Sequence, residues 1–139
     1  MISNPAKLEE LEVPKNLGDD FVIFETWQKL AKKMIHILWK LPQSWIFQEP
    51  VDPVKLEIPD YFDIIKKPMD FETIRLRLLA EEYACLRDFL DDVELTFENC
   101  ITYNGDSSVG KLGSLVREEY RKLCKQLNTD FYIQQGQEI

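Results

Sequence analysis

Two adjoining features of the chain carry residue types that could do chemistry. From Gly105 to Lys111 the sequence reads GDSSVGK, the G-x-x-x-x-G-K spacing of a phosphate-cradling loop. In such a loop, backbone N–H groups and the start of a following helix converge on the phosphate oxygens, and a Ser or Thr after the Lys ligates magnesium. Here that position is Leu112, and the preceding VELTFENC has a helical rather than a strand pattern. The spacing therefore reads better as a turn between two helices, with Gly105 ending one and Ser107 or Ser108 capping the next. The second feature is Asn104, which continues the apolar series Val93, Phe97, Cys100 at intervals of four and three. That register points its carboxamide inward, where an unpaired amide costs roughly 1–3 kcal/mol. Two readings stay open on spacing alone. Asn104 either takes the left-handed conformation that closes a helix before glycine, or offers its amide to a ligand at the end of a helical bundle.

Composition removes several function classes. The chain has 139 residues, enough for one domain. His36 is the single histidine, and Cys85, Cys100 and Cys124 are widely spaced with no CxxC pair. Zinc sites and Ser/His or Cys/His nucleophiles are thereby disfavoured; no metal, cofactor or catalytic residue is expected, and a reducing compartment is the simpler reading. The net charge of −8 argues against binding a phosphate backbone directly and favours a basic partner. No apolar run approaches the length of a membrane span, and the N-terminus lacks a basic-then-apolar signal pattern.

The elements that must position these residues are helices. Residues 1–20 contain Pro5, Pro14 and Gly18 and read as an irregular lead-in, with a short helical turn near Leu8–Leu11. Phe24, Trp27, Leu30, Ala31, Met34, Ile37, Leu38 and Leu41 then form a helical stripe that Pro42 ends. Between Pro42 and Lys67 no helical period survives, and five of the seven prolines lie in or beside this stretch. Its many apolar residues, among them Trp45, Phe47, Val54, Leu56, Phe62 and Ile64, predict an ordered, packed loop rather than a disordered one. Asp70 is placed to cap a second helix carrying Phe71, Ile74 and Leu78. A third runs from Leu86 through Phe89, Leu90, Val93, Phe97, Cys100 and Ile101 to Gly105. A fourth follows with Val109, Leu112, Leu115, Val116, Tyr120, Leu123 and Leu127. With no clean strand alternation, four helices and one long loop imply an all-α antiparallel bundle. The bundle end beside Asn104 should be covered by the long loop, giving an apolar pocket with few polar groups.

The stretch WIFQEPVDPVKLEIPDYFDIIKKPMDFETIRLRL followed by FENCITYN resembles a bromodomain, the helical reader of acetylated lysine, over about Phe24 to Leu127. The W-x-F shelf, the PVD, the PDYxxxIKxPMD run and the NCxxYN helix end occur in the family's order and spacing. The resemblance implies a left-handed antiparallel four-helix bundle with a long ordered loop between helices 1 and 2. It divides the chain into a lead-in at 1–20, a bromodomain at 21–129 and a C-terminal tail at 130–139. It also implies that Asn104 donates to the acetyl carbonyl and that Tyr61 holds a water on the same oxygen. Trp45, Ile46 and Phe47 would form the shelf, Val51, Leu56 and Ile58 the loop wall, Cys100 and Tyr103 the helix-end wall, and Val109 the gatekeeper. Ile46 stands where many members have proline, so the shelf loses a fixed φ.

The expected function is non-catalytic binding of acetylated lysine in basic tails such as those of histones, by a monomeric nuclear module. Glu49, Asp52, Glu57, Asp60 and Asp63 of the loop, with Asp106 opposite, are expected to give an acidic rim that favours flanking Lys or Arg. A fold of this kind that serves only as a docking surface is the alternative.

Overall fold

The computed structural model describes residues 24–137; the lead-in at 1–20 and its suggested turn lie outside them. Among the described residues there are six helices and no strand: α1 (Trp27–Lys40), α2 (Tyr61–Ile64), α3 (Phe71–Leu79), α4 (Leu86–Asn104), α5 (Ser108–Gln126) and α6 (Thr129–Gln137). Helices α1, α3, α4 and α5 form the bundle. A single 3-10 turn, Ser44–Phe47, and the one-turn α2 punctuate the loop between α1 and α3.

Local chemistry sets the helix ends. Thr26 caps α1 by accepting from the Lys29 N–H at 3.2 Å, so the helix starts at Trp27 and Phe24 precedes it. Asp70 caps α3, its carboxylate accepting from the N–H and the hydroxyl of Thr73 at 2.9 and 2.6 Å. Gly105, at φ +56°, ends α4, and Ser107 caps α5 by accepting from the Gly110 N–H at 3.3 Å.

The core is the helical stripe of each element. Leu30, Ala31, Met34 and Leu38 of α1 meet Phe71 and Ile74 of α3, while Phe89, Val93 and Phe97 of α4 meet Val116, Tyr120 and Leu123 of α5. Phe97 sits at its centre, with ring centroids 5.4 Å from Phe47, 6.0 Å from Phe71 and 5.6 Å from Tyr120. The α4–α5 contact is the most extensive in the bundle. It is close because Gly110 and Gly113 stand on the facing side of α5: a Cβ at Gly110 would lie 1.9 Å from the Gly105 carbonyl oxygen, and one at Gly113 2.7 Å from Cys100 Sγ.

Three expectations are corrected. Leu115, assigned to the fourth helix's apolar face, is 57% exposed, because the buried line passes through Gly113, Val116, Tyr120 and Leu123. The long loop does not bury all its apolar side chains: Trp45, Val54, Leu56, Phe62 and Ile64 are exposed, while Phe47, Tyr61, Ile65 and Met69 reach the core side. Residues assigned to a C-terminal tail form α6, whose Tyr132 is buried against the bundle. Its hydroxyl accepts the Phe24 N–H at 2.8 Å, joining the two ends of the described chain.

Candidate functional site

The loop reaches the α4 end because three anchors hold it. Phe47 inserts into the core between Phe71 and Phe97. Ser44, fully buried, donates its hydroxyl to the Trp39 and Leu41 carbonyls, each at 2.8 Å. Asn99 donates its side-chain amide to the Lys67 carbonyl at 2.8 Å, tying the loop's far end to α4. Between the anchors, Asp52 organises a turn by accepting from the N–H groups of Val54 and Lys55 at 3.1 and 3.2 Å. Asn99 escaped the sequence reading. Its signal was a polar residue beside Cys100 on the buried side of a strongly periodic helix.

A cavity of about 520 Å³ lies between this loop and the ends of α4 and α5. All eleven residues singled out from the sequence line it: Trp45, Ile46, Phe47, Val51, Leu56, Ile58, Tyr61, Cys100, Tyr103, Asn104 and Val109. Met69, Asp70 and Thr96 complete the interior, and Glu49, Pro50, Asp52 and Lys55 the mouth. A cleft of similar size, about 500 Å³, lies between α4, α5 and α6 but is lined by charged side chains, with Arg121 already paired to Glu94 at 3.1 Å. The lining, not the volume, separates the two: only the first offers apolar walls around a few polar groups.

Asn104 is half-buried at this cavity. Its amide nitrogen donates to the Cys100 carbonyl at 2.9 Å and lies 3.8 Å from Cys100 Sγ. The expectation of an amide left wholly to a ligand is therefore corrected: one hydrogen is used by the helix, since the i−4 carbonyl lies directly beneath the side chain. That bond fixes the amide plane. The second hydrogen has only a thiol sulfur nearby, a weak acceptor. Cys100 in turn donates toward the Val109 carbonyl at 3.5 Å, and burial pushes its thiol pKa above the ordinary value, so the sulfur is held neutral.

Tyr61 is buried, with its ring 5.0 Å from Tyr103 and 5.6 Å from Phe62. Burial, and secondarily Cys100, raises its pKa, which keeps the phenol protonated and able to donate. Among the described residues no protein group hydrogen-bonds that hydroxyl, and Tyr61 borders the cavity. Tyr103 donates its own hydroxyl to Asp60 at 2.5 Å, and this bond, ahead of burial, raises the Tyr103 pKa.

The acidic rim is narrower than expected. Of the six carboxylates, Glu49 and Asp52 line the mouth; Glu57, Asp60, Asp63 and Asp106 do not, and Asp60 is engaged by Tyr103. Lys55 also stands at the mouth, 3.9 Å from Glu49, a cation that the sequence reading passed over. The GDSSVGK stretch is no phosphate loop. It follows a helix, and the Ser107, Gly110 and Lys111 N–H groups are taken by Asn104 O, Ser107 Oγ and Ser107 O at 3.1, 3.3 and 3.0 Å.

A helical bundle whose long loop walls a mostly apolar cavity, with one oriented amide and one buried phenol at its end, has the form of a small-ligand binding module. Comparison with known families agrees: residues 31–111 match the bromodomain family, and the chain belongs to it, a family of acetyl-lysine-reading modules. Over 101 residues the chain is 42% identical to the SWR1 complex bromodomain subunit bdf1 of Schizosaccharomyces pombe, an alignment covering 72% of this chain and 18% of that protein. It is 51% identical over 76 residues to transcription factor GTE10 of Arabidopsis thaliana, covering 55% of this chain and 7% of that protein. It is 43% identical over 100 residues to bromodomain-containing protein C631.02 of Schizosaccharomyces pombe, covering 71% and 14%. The aligned stretch thus spans less than a fifth of each of these relatives.

Proposed function

We propose that the cavity takes the side chain of an acetylated lysine in a basic protein tail, with Asn104 donating its second amide hydrogen to the acetyl carbonyl and Tyr61 holding a water on the same oxygen. The observation that carries this reading is the Asn104 amide, oriented by the Cys100 carbonyl and facing an apolar cavity with only a sulfur for its remaining hydrogen.

The chemistry explains the selectivity. Free lysine brings three donors, a positive charge and no acceptor. Entering walls made by Val51, Leu56, Ile58 and Phe47, it would shed hydration and meet the Asn104 amide donor to donor. Acetylation removes the charge and adds a carbonyl. The cavity then gains one direct hydrogen bond and one through water, while the methyl group adds about 0.8 kcal/mol of apolar burial. Discrimination rests mainly on what the unmodified chain loses. A single small side chain in one pocket gives affinities on the order of micromolar to millimolar.

Histone tails are the natural class of partner, because a chain of net charge −8 attracts basic segments and the bdf1 and GTE10 relatives carry chromatin-complex and transcription-factor names. The relatives' names favour a nuclear setting, and the net charge of −8 argues against direct nucleic-acid binding; we read residues 21–129 as a non-catalytic, monomeric binding module. The test is calorimetric titration of one histone-tail peptide with and without a single acetyl group. The acetylated form should bind and the unmodified form should not. Asn104→Ala should weaken acetyl-peptide binding at least about tenfold with little change in melting temperature. Equal binding of both peptides by the wild type would refute the reading.

A further inference from the structure

The wall opposite Asn104 is carried by a loop segment, and an exposed hydrogen bond holds that segment to α4. Tyr103, one residue before Asn104, donates to the Asp60 carboxylate at 2.5 Å, across 43 residues of sequence. This is the short length of a charge-assisted bond. Asp60 immediately precedes Tyr61, and its backbone carbonyl also starts α2 by accepting from the N–H groups of Asp63 and Ile64 at 3.0 and 3.3 Å. The Tyr103 and Tyr61 rings pack at 5.0 Å. Four residues in two adjacent pairs, 60–61 on the loop and 103–104 on the helix, are thus cross-linked at the surface while their inner members face the cavity.

Resting on the acetyl-lysine reading above, we infer that Tyr103 and Asp60 form a positioning latch that sets the distance between Asn104 and Tyr61, the two groups assigned to the acetyl carbonyl. The Asp60 carboxylate does not line the cavity and acts through Tyr103, whose hydroxyl it holds while the Tyr103 side chain borders the cavity. The latch's geometry explains why an acidic residue stands at position 60 without lining the mouth. The carboxylate serves Tyr103 rather than a basic peptide. The loop's inner anchors, Phe47 and Asn99, lie beyond α2 on either side, so the Tyr61 segment has this bond as its outer tie.

The test separates a latch from a direct electrostatic role. Asp60→Asn keeps an acceptor for the Tyr103 hydroxyl and Asp60→Ala removes it. Both remove the charge. Titrating an acetylated histone-tail peptide, the latch predicts affinity in the order wild type, Asp60→Asn, Asp60→Ala, with the last about three- to tenfold weaker. Tyr103→Phe, which keeps the ring contact with Tyr61, should match Asp60→Ala. On the Tyr103→Phe background neither Asp60 substitution should weaken binding further. If Asp60→Asn and Asp60→Ala are equally weak and remain so on that background, Asp60 acts on the peptide by charge and the latch is refuted. Amide hydrogen exchange without ligand gives an independent reading: Tyr103→Phe should speed exchange at Tyr61, Ile64 and Ile65 and leave α1 unchanged. Unchanged exchange there refutes the latch even if the wild type binds acetylated peptide. Faster exchange with no acetyl discrimination by the wild type would support the latch and overturn the reader assignment instead.

Discussion

Gly110→Ala tests whether the GDSSVGK stretch is built for packing. The added Cβ would sit 1.9 Å from the Gly105 carbonyl oxygen and 3.0 Å from its carbon, where contacts under 3.0 Å essentially never occur. Both partners are backbone, so neither a rotamer change nor a flexible tip can relieve the clash. The start of α5 must move away from the end of α4 by about 1.1 Å to bring the contact with the oxygen from 1.9 Å to the 3.0 Å limit. Overpacking of this kind costs about 1–3 kcal/mol. Removing a helical glycine returns at most about 1 kcal/mol, so from the high end of the first range a net loss of about 2 kcal/mol is expected. That corresponds to a fall of roughly 6–10 °C in Tm for a domain of this size. The shift falls on the peptide unit after Asn104, so acetyl-peptide affinity should drop as well. Gly113→Ala is the internal control. Its Cβ would lie 2.7 Å from Cys100 Sγ, a side-chain atom that can rotate, so its cost should be smaller. Thermal and urea unfolding of the two variants measure the difference. A Gly110→Ala protein as stable as wild type, or more stable than Gly113→Ala, would refute the reasoning, because helix propensity would then outweigh the contact.

Three further outcomes follow from the geometry. Asp92 is buried and accepts from Arg77 at 3.1 Å and from the Tyr83 hydroxyl at 2.7 Å, so Tyr83→Phe should cost about 1 kcal/mol and Asp92→Ala about 1–3 kcal/mol in urea unfolding, with acetyl-peptide affinity unchanged. Tyr61, Tyr83, Tyr103 and Tyr120 all have folded-state pKa values raised above the ordinary 10.0, so the folded chain keeps these protons where the unfolded chain loses them. Stability from this source is full below pH 10 and falls as pH rises above it, which a Tm series from pH 8 to pH 11 should show as a plateau and then a decline. Cys100 is buried and its thiol is held protonated, so at pH 8 it should alkylate far more slowly than cysteine in an unfolded peptide, and a bound acetyl-lysine amide should slow it further; rapid labelling that ligand does not affect would contradict the site as drawn.

The parts of the fold legible in the sequence are those decided by local chemistry. Asp70, Ser107 and Gly105 mark helix ends by what their own side chains or φ angles do within three or four residues, and all three act as read. The membership of the cavity was legible for a different reason, the resemblance of a long ordered motif. What escaped depends on distant partners. Tyr132 is buried in the core and its hydroxyl accepts from the Phe24 N–H, 108 residues away, and nothing in the short α6 sequence announces that contact. Asp60 reads as one more rim acid until Tyr103 is found on it, and Lys55 reads as a solvated lysine until the loop turn at Asp52 brings it to the mouth.

The loop between α1 and α3 lacks a period because its apolar residues do two opposed jobs. Phe47, Tyr61, Ile65 and Met69 are buried and pull the chain onto the bundle, whereas Trp45 and Leu56 remain 65% and 57% exposed. A loop that buried every apolar side chain would collapse onto Asn104 and leave no cavity. A loop that buried none would not stay ordered, since backbone ordering costs about 1–2 kcal/mol per residue. Interleaving anchors with outward-facing walls meets both demands, but it breaks the alternation of a strand and the three-to-four spacing of a helix alike. On the proposed reading, the exposed Trp45 and Leu56 are the apolar surface that a ligand would cover, at about 25 cal/mol for each Å² removed from water. On the proposed reading, selectivity would come from the inner end, where one Asn104 amide hydrogen is committed to the Cys100 carbonyl and the other has only the Cys100 sulfur at 3.8 Å, so a carbonyl acceptor would be preferred over a purely apolar side chain.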